Sequence, residues 1–262
     1  MEAREREAQV EVHRRPTSRG YARSRSNFTT AAIWQHRRLF SFLLLLSAMA
    51  VGGASPAAAQ TSISGTISAD STWTAIDSPY LLSGNVVVNA GSTLTLAPGT
   101  VVKGVSSSSR LDVRGRIVSQ GTAESPVVFT SFRDDSVGGD SNGDGDGSAP
   151  GAGNWSGIFL RGTQAENLID HTVLRYAGSS TNSNRGALYI SGSTGVVSNS
   201  VVENSSQAIF VEAASPRIES NLIRSNSRGV VVTGTSTPTV TGNTLIGNGL
   251  ADLPDFFGPP IS

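Results

Sequence analysis

A repeat of 21 or 22 residues constrains the fold of this 262-residue chain more than any other feature of its sequence. The repeat is clearest from Val196 to Asn248, where apolar positions alternate with small or polar ones. Such alternation predicts short strands and not helices. A unit of this length cannot bury its own apolar face, whereas a stack of copies buries a continuous one. The sequence therefore predicts an all-β parallel solenoid with one coil per repeat.

Polar and apolar positions of the repeat form columns. Two asparagine columns and two apolar columns are spaced by 22 residues: Asn199, Asn221 and Asn243; Asn204, Asn226 and Asn248; Val196, Ile218 and Val240; Val201, Ile223 and Leu245. Two further columns are spaced by 21 residues: Leu188, Ile209 and Val230; Ile190, Val211 and Val232. Equivalent positions of stacked coils lie about 4.8 Å apart, and a side-chain amide both donates and accepts hydrogen bonds. We therefore predict two asparagine ladders.

The N-terminal part differs in charge from the rest of the chain. Residues 1–59 hold nine Arg and four Glu, for a net charge of +5, and the remainder carries −5. Residues 1–35 have no apolar period, so we interpret them as a disordered extension or a start site assigned too early. Residues 36–59 combine basic residues, an apolar run and Ala57-Ala58-Ala59, which is typical of a secretory signal peptide cut after Ala59. The run is shorter than the roughly 20 residues that a membrane span needs.

Composition excludes several classes of protein. The chain has no cysteine, so it has no disulfide framework and no thiolate metal site. Residues 60–262 contain a single lysine, Lys103, and no basic cluster, which argues against nucleic acid as a partner. We expect these residues to form one monomeric solenoid domain, without a membrane span, that is secreted or held at the cell surface.

Two departures from the repeat are visible. Residues 132–154 form a long acidic, Gly-rich insert. Leu168 and Val173 precede Val196 and Val201 by 28 residues, so this coil has about six residues more than the later ones. We assign the surplus to a polar loop at residues 179–185.

The coil sequences resemble a known family. The stretch LTLAPGTVVK at residues 94–103 and the stretch LDVRGRI at residues 111–117 are similar to the first coils of right-handed β-helix repeat proteins of bacterial surfaces. The insert and the following Trp155-Ser156-Gly157-Ile158 resemble that family's most recognisable segment, although members more often have Gly-Asp-Trp in place of Gly153-Asn154-Trp155. The resemblance covers residues 63–250 and implies a right-handed parallel β-helix of the pectin-lyase-like class. It implies little about activity, because this fold hosts many functions.

Catalytic constellations are weak in this sequence. A hydrolase needs two carboxylates across the sugar bond, and a calcium-dependent lyase needs acidic ligands plus a base. The adjacent acids Asp134 and Asp135 lie at the start of the insert. The sequence has neither the His-Gly nor the Arg-x-Lys motif of such enzymes, and Arg217-Ile218-Glu219 resembles the second motif only distantly. His171 falls at the position of Asn199 in later coils, so we interpret it as a turn residue. No aromatic stripe indicates a glycan site, and we predict no catalytic residue.

The leading functional hypothesis is an exported, non-enzymatic β-helix module used for adhesion, for binding a glycan or a cell-surface protein, or for structural display. The alternative is a carbohydrate-active enzyme, a polysaccharide lyase or hydrolase of the pectin-lyase-like class. A groove lined by three or more carboxylates and a basic residue would favour the enzyme, whereas a groove lined by Ser, Thr and Val would favour the module.

The insert contains the one metal site that we predict. Asp140, Asn142 and Asp144 place oxygen ligands at every second position, followed by Gly145 and then Asp146, whose backbone carbonyl is a further candidate ligand. This is the first half of a calcium loop, in which alternating side chains and a sharp glycine turn surround a hard cation. The twelfth position is a glycine and not the bidentate Glu. We therefore predict a weak structural calcium site, completed by water or by Asp134 or Asp135.

Large rings are expected at three structural positions. Trp73 and Tyr80 should help to close the first coil, and Phe256 and Phe257 should plug the last one, because the ends of a solenoid otherwise expose core and strand edges. Trp155 precedes a strand, and we interpret it as a core residue or as the anchor of the insert.

Overall fold

The computed structural model describes residues 60–163, 166–178 and 186–249, together with the backbone of residues 255–256. The predicted leader at 1–59 and the predicted polar loop at 179–185 lie outside the described residues. All described residues belong to one compact unit.

Each coil contributes one strand to each of three parallel sheets, named A, B and C in chain order. Sheet A consists of β1 (Thr61–Ile63), β4 (Tyr80–Leu82), β7 (Val101–Gly104), β10 (Val127–Ser131), β13 (Thr172–Arg175), β16 (Val201–Glu203), β19 (Leu222–Arg224) and β22 (Thr244–Ile246). Sheet B consists of β2 (Thr66–Ile67), β5 (Asn85–Val88), β8 (Arg110–Val113), β11 (Gly157–Leu160), β14 (Leu188–Ser191), β17 (Ile209–Glu212), β20 (Val230–Thr233) and β23 (Asp255–Phe256). Sheet C consists of β3 (Ser71–Trp73), β6 (Thr93–Leu96), β9 (Arg116–Gln120), β12 (Asn167–Asp170), β15 (Gly195–Ser198), β18 (Arg217–Glu219) and β21 (Thr239–Thr241).

This strand order confirms the predicted parallel solenoid. Within the described ranges the only helix is a single 3-10 turn, Ala75–Asp77. Among the residues described, no helix has the length and apolar character that crossing a bilayer requires.

The core runs along the axis between the three sheets. Burial alternates along the strands, as in β5 and β6, because successive side chains point to opposite faces. The predicted 21-residue columns are confirmed, since Leu188, Ile209 and Val230 pair in register and are all buried. Each fully buried side chain of this kind contributes about 1.5–3 kcal/mol to folding. The 28-residue offset is also confirmed, because Leu168 pairs with Val196 and Val173 with Val201.

The predicted 22-residue columns are wrong by one residue at their first step. Val196 pairs with Arg217, so the core column is Val197, Ile218 and Val240. By the same offset, Val202 and not Val201 stacks with Ile223 and Leu245. The turn between β17 and β18 has four residues and the turn between β20 and β21 has five, so successive coils differ in length. Residues that are a constant 22 positions apart therefore do not all lie on the same face of their strands.

The asparagine ladders exist, but Asn199 and Asn204 do not belong to them. In the first ladder Asn243 Oδ1 accepts bonds from the backbone N–H and the side chain of Asn221, each at 2.9 Å, and Asn221 Oδ1 accepts the N–H of Ser200 at 3.0 Å. The second ladder repeats these contacts with Asn248, Asn226 and Ser205. One coil earlier, serine therefore occupies the ladder position in place of asparagine. The ladder side chains accept hydrogen bonds from turn N–H groups that take no part in the bonding between strands.

Asn199 and Asn204 lie one residue before the ladder positions, in left-handed backbone conformation. Asn199 has φ 48° and its equivalent in the next coil, Ser220, has φ 57°. Asn204, with φ 50°, occupies the corresponding place in the second turn. Asparagine tolerates this conformation better than most residues, so these two residues serve the turn itself.

The first coil carries the expected rings. Trp73 and Tyr80 stack at 4.6 Å between ring centroids and are both buried. At the other end β23 pairs with β20, and Phe256 is in register with the core residue Val232. Phe257 lies outside the described residues.

Candidate functional site

The acidic insert, residues 132–154, is fastened to the outer face of sheet A. The side chain of Lys103 on β7 is fully buried, and its Nζ donates to the carbonyl oxygens of Asp134 at 2.9 Å and Gly139 at 2.7 Å. Burial lowers the pKa of Lys103, against the opposing effect of nearby Asp134 and Asp135. This lysine therefore holds two turns of the insert through their backbone.

Asp134 is the second anchor of the insert. Its side chain is 3% exposed and accepts hydrogen bonds from Thr130 and Ser136, and it forms an ion pair with Arg175 at 2.6 Å. Burial opposes ionisation, but these donors and the arginine outweigh it and hold the pKa of Asp134 below its usual value. A buried carboxylate that is held ionised by such partners serves to fix the structure around it.

The ion pair continues along sheet A. Glu203 is in register with Arg175 on one side and with Arg224 on the other. It lies 3.8 Å from Arg175 and 2.7 Å from Arg224. The outer face of sheet A thus carries alternating charges under and beside the insert, and these charges neutralise one another.

Asp140 and Asp144, two of the predicted calcium ligands, come together with Asp135. One carboxylate oxygen from each of the three lies within 4.8 Å of the others. Asp140 also accepts the backbone N–H groups of Gly143 and Gly145, at 2.7 and 2.8 Å, which wrap the loop around it. The Gly145 N–H is the main cause that lowers the pKa of Asp140.

Asn142 and Asp146 occupy different places around this cluster. The amide nitrogen of Asn142 donates to Asp144 at 2.8 Å and to Ser148 at 3.0 Å. Asp146 is exposed and contributes no carboxylate to the group of three. Asp135, which the sequence offers only as one way to complete the loop, is the third carboxylate because Lys103 and Asp134 fix the start of the insert.

Two oxygen atoms beside this cluster are buried without a hydrogen-bond partner among the described residues: Asp135 Oδ1 and Asn142 Oδ1. Both atoms can only accept. Burial, and then the neighbouring Asp140, raise the pKa of Asp135. Unpaired buried acceptors beside like charges are an arrangement that a hard cation relieves.

An aromatic row, which the sequence analysis did not identify, follows the outer face of sheet B. Phe159, Tyr189, Phe210 and Val231 are in register on β11, β14, β17 and β20 and form an apolar cluster separate from the core. Tyr189 lies 5.4 Å from Phe159 and 5.9 Å from Phe210 between ring centroids. Sequence reasoning missed the row because Phe159 and Tyr189 are 30 residues apart. The 21-residue step from Tyr189 to Phe210 and Val231 was the available signal.

Charged residues flank one end of this aromatic row. Arg110 and Arg161 lie over the Phe159 ring, 5.7 and 5.2 Å from its centroid. Asp112 precedes Phe159 in the column and is 1% exposed, with Arg114 at 3.6 Å and Arg161 at 3.7 Å. Neither of its carboxylate oxygens has a hydrogen bond among the described residues.

Comparison with known families agrees with this architecture. A family model described as "Pectate-lyase like beta helix domain" matches residues 65–191, and one described as "Right handed beta helix region" matches residues 151–253. The chain belongs to the right-handed β-helix family. No curated protein and no solved structure matches it. Family membership thus gives this β-helix its fold and hand, and the function has to be argued from its own residues.

His171 occupies a turn of the β-helix, as expected. It has φ 43°, like the equivalent Asn199, and its Nδ1 lies 2.8 Å from the carboxylate of Asp170. Asp170 also accepts from Ser198 and Asn199, and these bonds outweigh burial and lower its pKa. The adjacent cavity, of about 180 Å³, is lined mainly by Thr, Ala, Pro, Val and Asn, with His171 as its one titratable residue.

Trp155 anchors the end of the insert, as the sequence suggests. Its side chain is fully buried, its Nε1 donates to the carbonyl of Arg175 at 3.0 Å, and its ring stacks 6.5 Å from Phe129. The side chain lies against Gly104, where an added Cβ would come within 2.4 Å of the Trp155 Cβ and 2.7 Å of the ring atom Cγ. Only glycine leaves room for this ring at that place in sheet A.

Proposed function

We propose that this β-helix is an exported, non-enzymatic module of the cell surface or extracellular space that binds a glycan or protein partner or serves in structural display. One observation carries the proposal. Each of the five strand carboxylates whose side chains the structure describes has a basic or hydroxyl partner: Asp112, Asp170, Glu203, Glu212 and Glu219. Sugar-bond hydrolysis requires two carboxyl groups that face each other across the substrate, one as a proton donor and the other as a base or nucleophile.

The face of sheet A supports the same conclusion. It carries Asp134 and Glu203 beside Lys103 and Arg175, the residue types that a lyase groove would use. These groups are paired with one another, and the insert buries Lys103 and Asp134. Buried and mutually bonded charges hold the insert in place and leave no open groove for a substrate at these residues.

The test is a cleavage screen of the purified chain. The chain is incubated with polygalacturonate, alginate and related acidic glycans, with and without calcium, beside an active polysaccharide lyase as control. We expect no bond cleavage, measured as unsaturated product or new reducing ends. Cleavage above that of heat-denatured chain would overturn the proposal.

The alternative, a carbohydrate-active enzyme, is favoured by one feature of sheet B. There a buried carboxylate, Asp112, lies 3.7 Å from Arg161, so that an acidic and a basic residue are close together. If the screen detects cleavage, Asp112→Asn and Arg161→Gln should abolish it, whereas Arg217→Gln, on β18 of sheet C, should not.

Export rests on the leader at residues 36–59. The first strand, β1, starts at Thr61, so a cut after Ala59 would leave every described strand intact. Expression in a secreting bacterial host and mass determination of the released chain should give an N-terminus at Gln60. Recovery of only uncut chain inside the cells would contradict export.

We also propose that the acidic insert binds one calcium ion to order itself. The support is the group formed by Asp135, Asp140 and Asp144, together with the unpaired buried oxygens of Asp135 and Asn142. Oxygen atoms of this kind are the ligands that calcium prefers. The ion would offset the repulsion of three carboxylates, and its role would be structural.

Calcium titration tests this site through the melting temperature of the chain. We expect millimolar calcium to raise it, and the double variant Asp140→Asn with Asp144→Asn to lose the rise. Glu124→Gln, an exposed acid outside the insert, should keep it. An unchanged melting temperature of the unmodified chain at several millimolar calcium would remove the site.

A further inference from the structure

A cavity of about 290 Å³ lies beside the end of the acidic insert, along the turns that join sheet A to sheet B. Its lining residues come from the insert and from three successive turns: Pro150, Gly151, Ala152, Tyr176, Asn204, Ser205, Ser225 and Ser227. Ligand sites in proteins start at about 300 Å³, so this cavity suits one sugar unit. We propose that it binds one sugar residue of a neutral glycan against the ring of Tyr176, an inference that rests on the glycan-binding role proposed above.

Tyr176 has a backbone conformation that bulky residues rarely adopt. Its equivalents in the three following coils are Asn204, Ser225 and Gly247, and all four residues have φ between 50° and 64°. Asparagine and glycine tolerate this left-handed region, whereas a large aromatic side chain is an outlier there. Outliers of this kind persist where the side chain is used, as in ligand-binding sites. The turn itself does not require tyrosine, so the ring indicates a site.

The Tyr176 ring is half-buried and lines the cavity. The guanidinium of Arg175 lies over this ring, 5.5 Å from its centroid, and fixes its position. Burial raises the pKa of Tyr176, so its hydroxyl stays protonated and can donate a hydrogen bond. Such a side chain offers an apolar face to the C–H groups of a sugar ring and a polar edge to its hydroxyl groups.

The polar groups that line the cavity are free to bind a ligand. Within the described ranges, four of the lining side chains have no hydrogen-bond partner: Tyr176, Asn204, Ser225 and Ser227. By contrast, the ladder residue Asn226 uses its amide in bonds to the coils on both sides. Amide and hydroxyl groups together donate and accept hydrogen bonds, as the hydroxyl groups of a sugar require.

The charge of the cavity selects the class of sugar. None of the eight lining residues is acidic or basic. Arg175, which lies over the Tyr176 ring, is already paired with Asp134 at 2.6 Å and lies 3.8 Å from Glu203. A charged sugar would therefore lose hydration on entry without gaining a counter-ion. The cavity suits an uncharged sugar, in contrast to the acidic glycans of the cleavage screen.

Ligand-observed saturation-transfer NMR on the full chain tests the proposal. The neutral probes are maltose, cellobiose, lactose and mannobiose at millimolar concentration. We expect at least one of them to receive saturation from the chain. Tyr176→Asn removes the ring but introduces the residue that the same turn position already carries at Asn204, and it should weaken binding roughly tenfold.

Two matched glycine variants separate the cavity from the turn. Ser225→Gly removes a hydroxyl that lines the cavity, whereas Ser220→Gly changes a residue with the same left-handed backbone, φ 57°, in the turn between sheets C and A. Glycine suits this conformation, so both variants should fold. We expect Ser225→Gly to weaken binding about threefold to tenfold and Ser220→Gly to leave it unchanged.

Three results would overturn the proposal. They are the absence of saturation of every neutral probe, binding that survives Tyr176→Asn, and equal binding by Ser225→Gly and Ser220→Gly. None of them changes the outcome of the cleavage screen, so this inference and the proposed non-enzymatic function fail separately.

Discussion

The outward column of sheet A consists of charged and hydroxyl residues such as Thr130, Arg175 and Glu203, whereas that of sheet B consists of Tyr189, Phe210 and Val231. Both sheets enclose the same apolar core. The inward positions of a β-helix are fixed by burial, and the outward positions are free to vary. Sheet A uses this freedom to hold the acidic insert, and sheet B uses it to build a second apolar layer.

The largest effect should follow from breaking the charge network of sheet A. Arg175→Met leaves Asp134 and Glu203 without a shared partner, and loss of one member of a buried ion pair costs about 3–5 kcal/mol. Urea unfolding measures this cost. The matched control is Arg217→Met, which removes an exposed pair with Glu219 and should cost less than about 1 kcal/mol. Equal costs for the two variants would contradict a buried network on sheet A.

The aromatic row of sheet B gives the next effect. Phe210→Ala should destabilise the chain by about 3 kcal/mol, because it removes a buried ring from between Tyr189 and Val231. Ile76, at 87% exposure, provides the control, and Ile76→Ala should change the free energy of unfolding by less than about 0.5 kcal/mol. The cost of Phe210→Ala should not depend on salt, in contrast to that of Arg175→Met.

The first asparagine ladder lies in the turn that joins sheet C to sheet A. Breaking this ladder should lower the free energy of unfolding by an intermediate amount. Asn221→Ala leaves the N–H of Ser200 and the carbonyl of Val197 without their partner, at about 1–3 kcal/mol. Asn89, half-buried in a turn outside the ladders, is the comparison. If Asn89→Ala costs as much as Asn221→Ala in urea unfolding, the ladder has no special role.

The smallest effect concerns acid stability, and it separates the two faces. The pKa of Asp134 is below its usual 3.8, so its ionisation stabilises the folded chain above that pH, and this contribution is lost as pH falls through the lower folded value. Unfolding free energy should therefore decline below about pH 4. Asp134→Asn should flatten that decline, whereas Phe210→Ala should keep it. A decline of unchanged slope in Asp134→Asn would assign acid sensitivity to other groups.

The sequence predicted the inside of this β-helix better than its turns. Leu188, Ile209 and Val230 were placed correctly because their spacing is uniform and burial requires apolar residues there. The column beginning at Asn199 was off by one residue, because a five-residue turn before β21 follows a four-residue turn before β18. The N–H of Ser200, and not a group of Asn199, donates a hydrogen bond to Asn221. The spacing of residues in the sequence does not by itself distinguish position 199 from position 200.

The candidate metal cluster was predictable in part. Asp140 and Asp144 follow from the local motif, since residues four apart in a tight glycine loop converge. Asp135 was one of two suggested carboxylates, and its selection depends on Lys103, which belongs to an earlier coil and holds the start of the insert from beneath. Such a contact between distant residues leaves no periodic trace in the sequence.

The sequence by itself determined that this chain folds as a solenoid of short parallel strands, that evenly spaced residues such as Leu188, Ile209 and Val230 fill its core, and that its acidic insert interrupts the coils. It could do so because burial in a repeated unit imposes a repeated pattern. Only the tertiary structure decided that the insert lies on sheet A, that Asp135 joins Asp140 and Asp144, and that Phe159, Tyr189 and Phe210 form one row on sheet B. These contacts join residues of different coils on the outer faces, where no requirement for burial repeats from coil to coil.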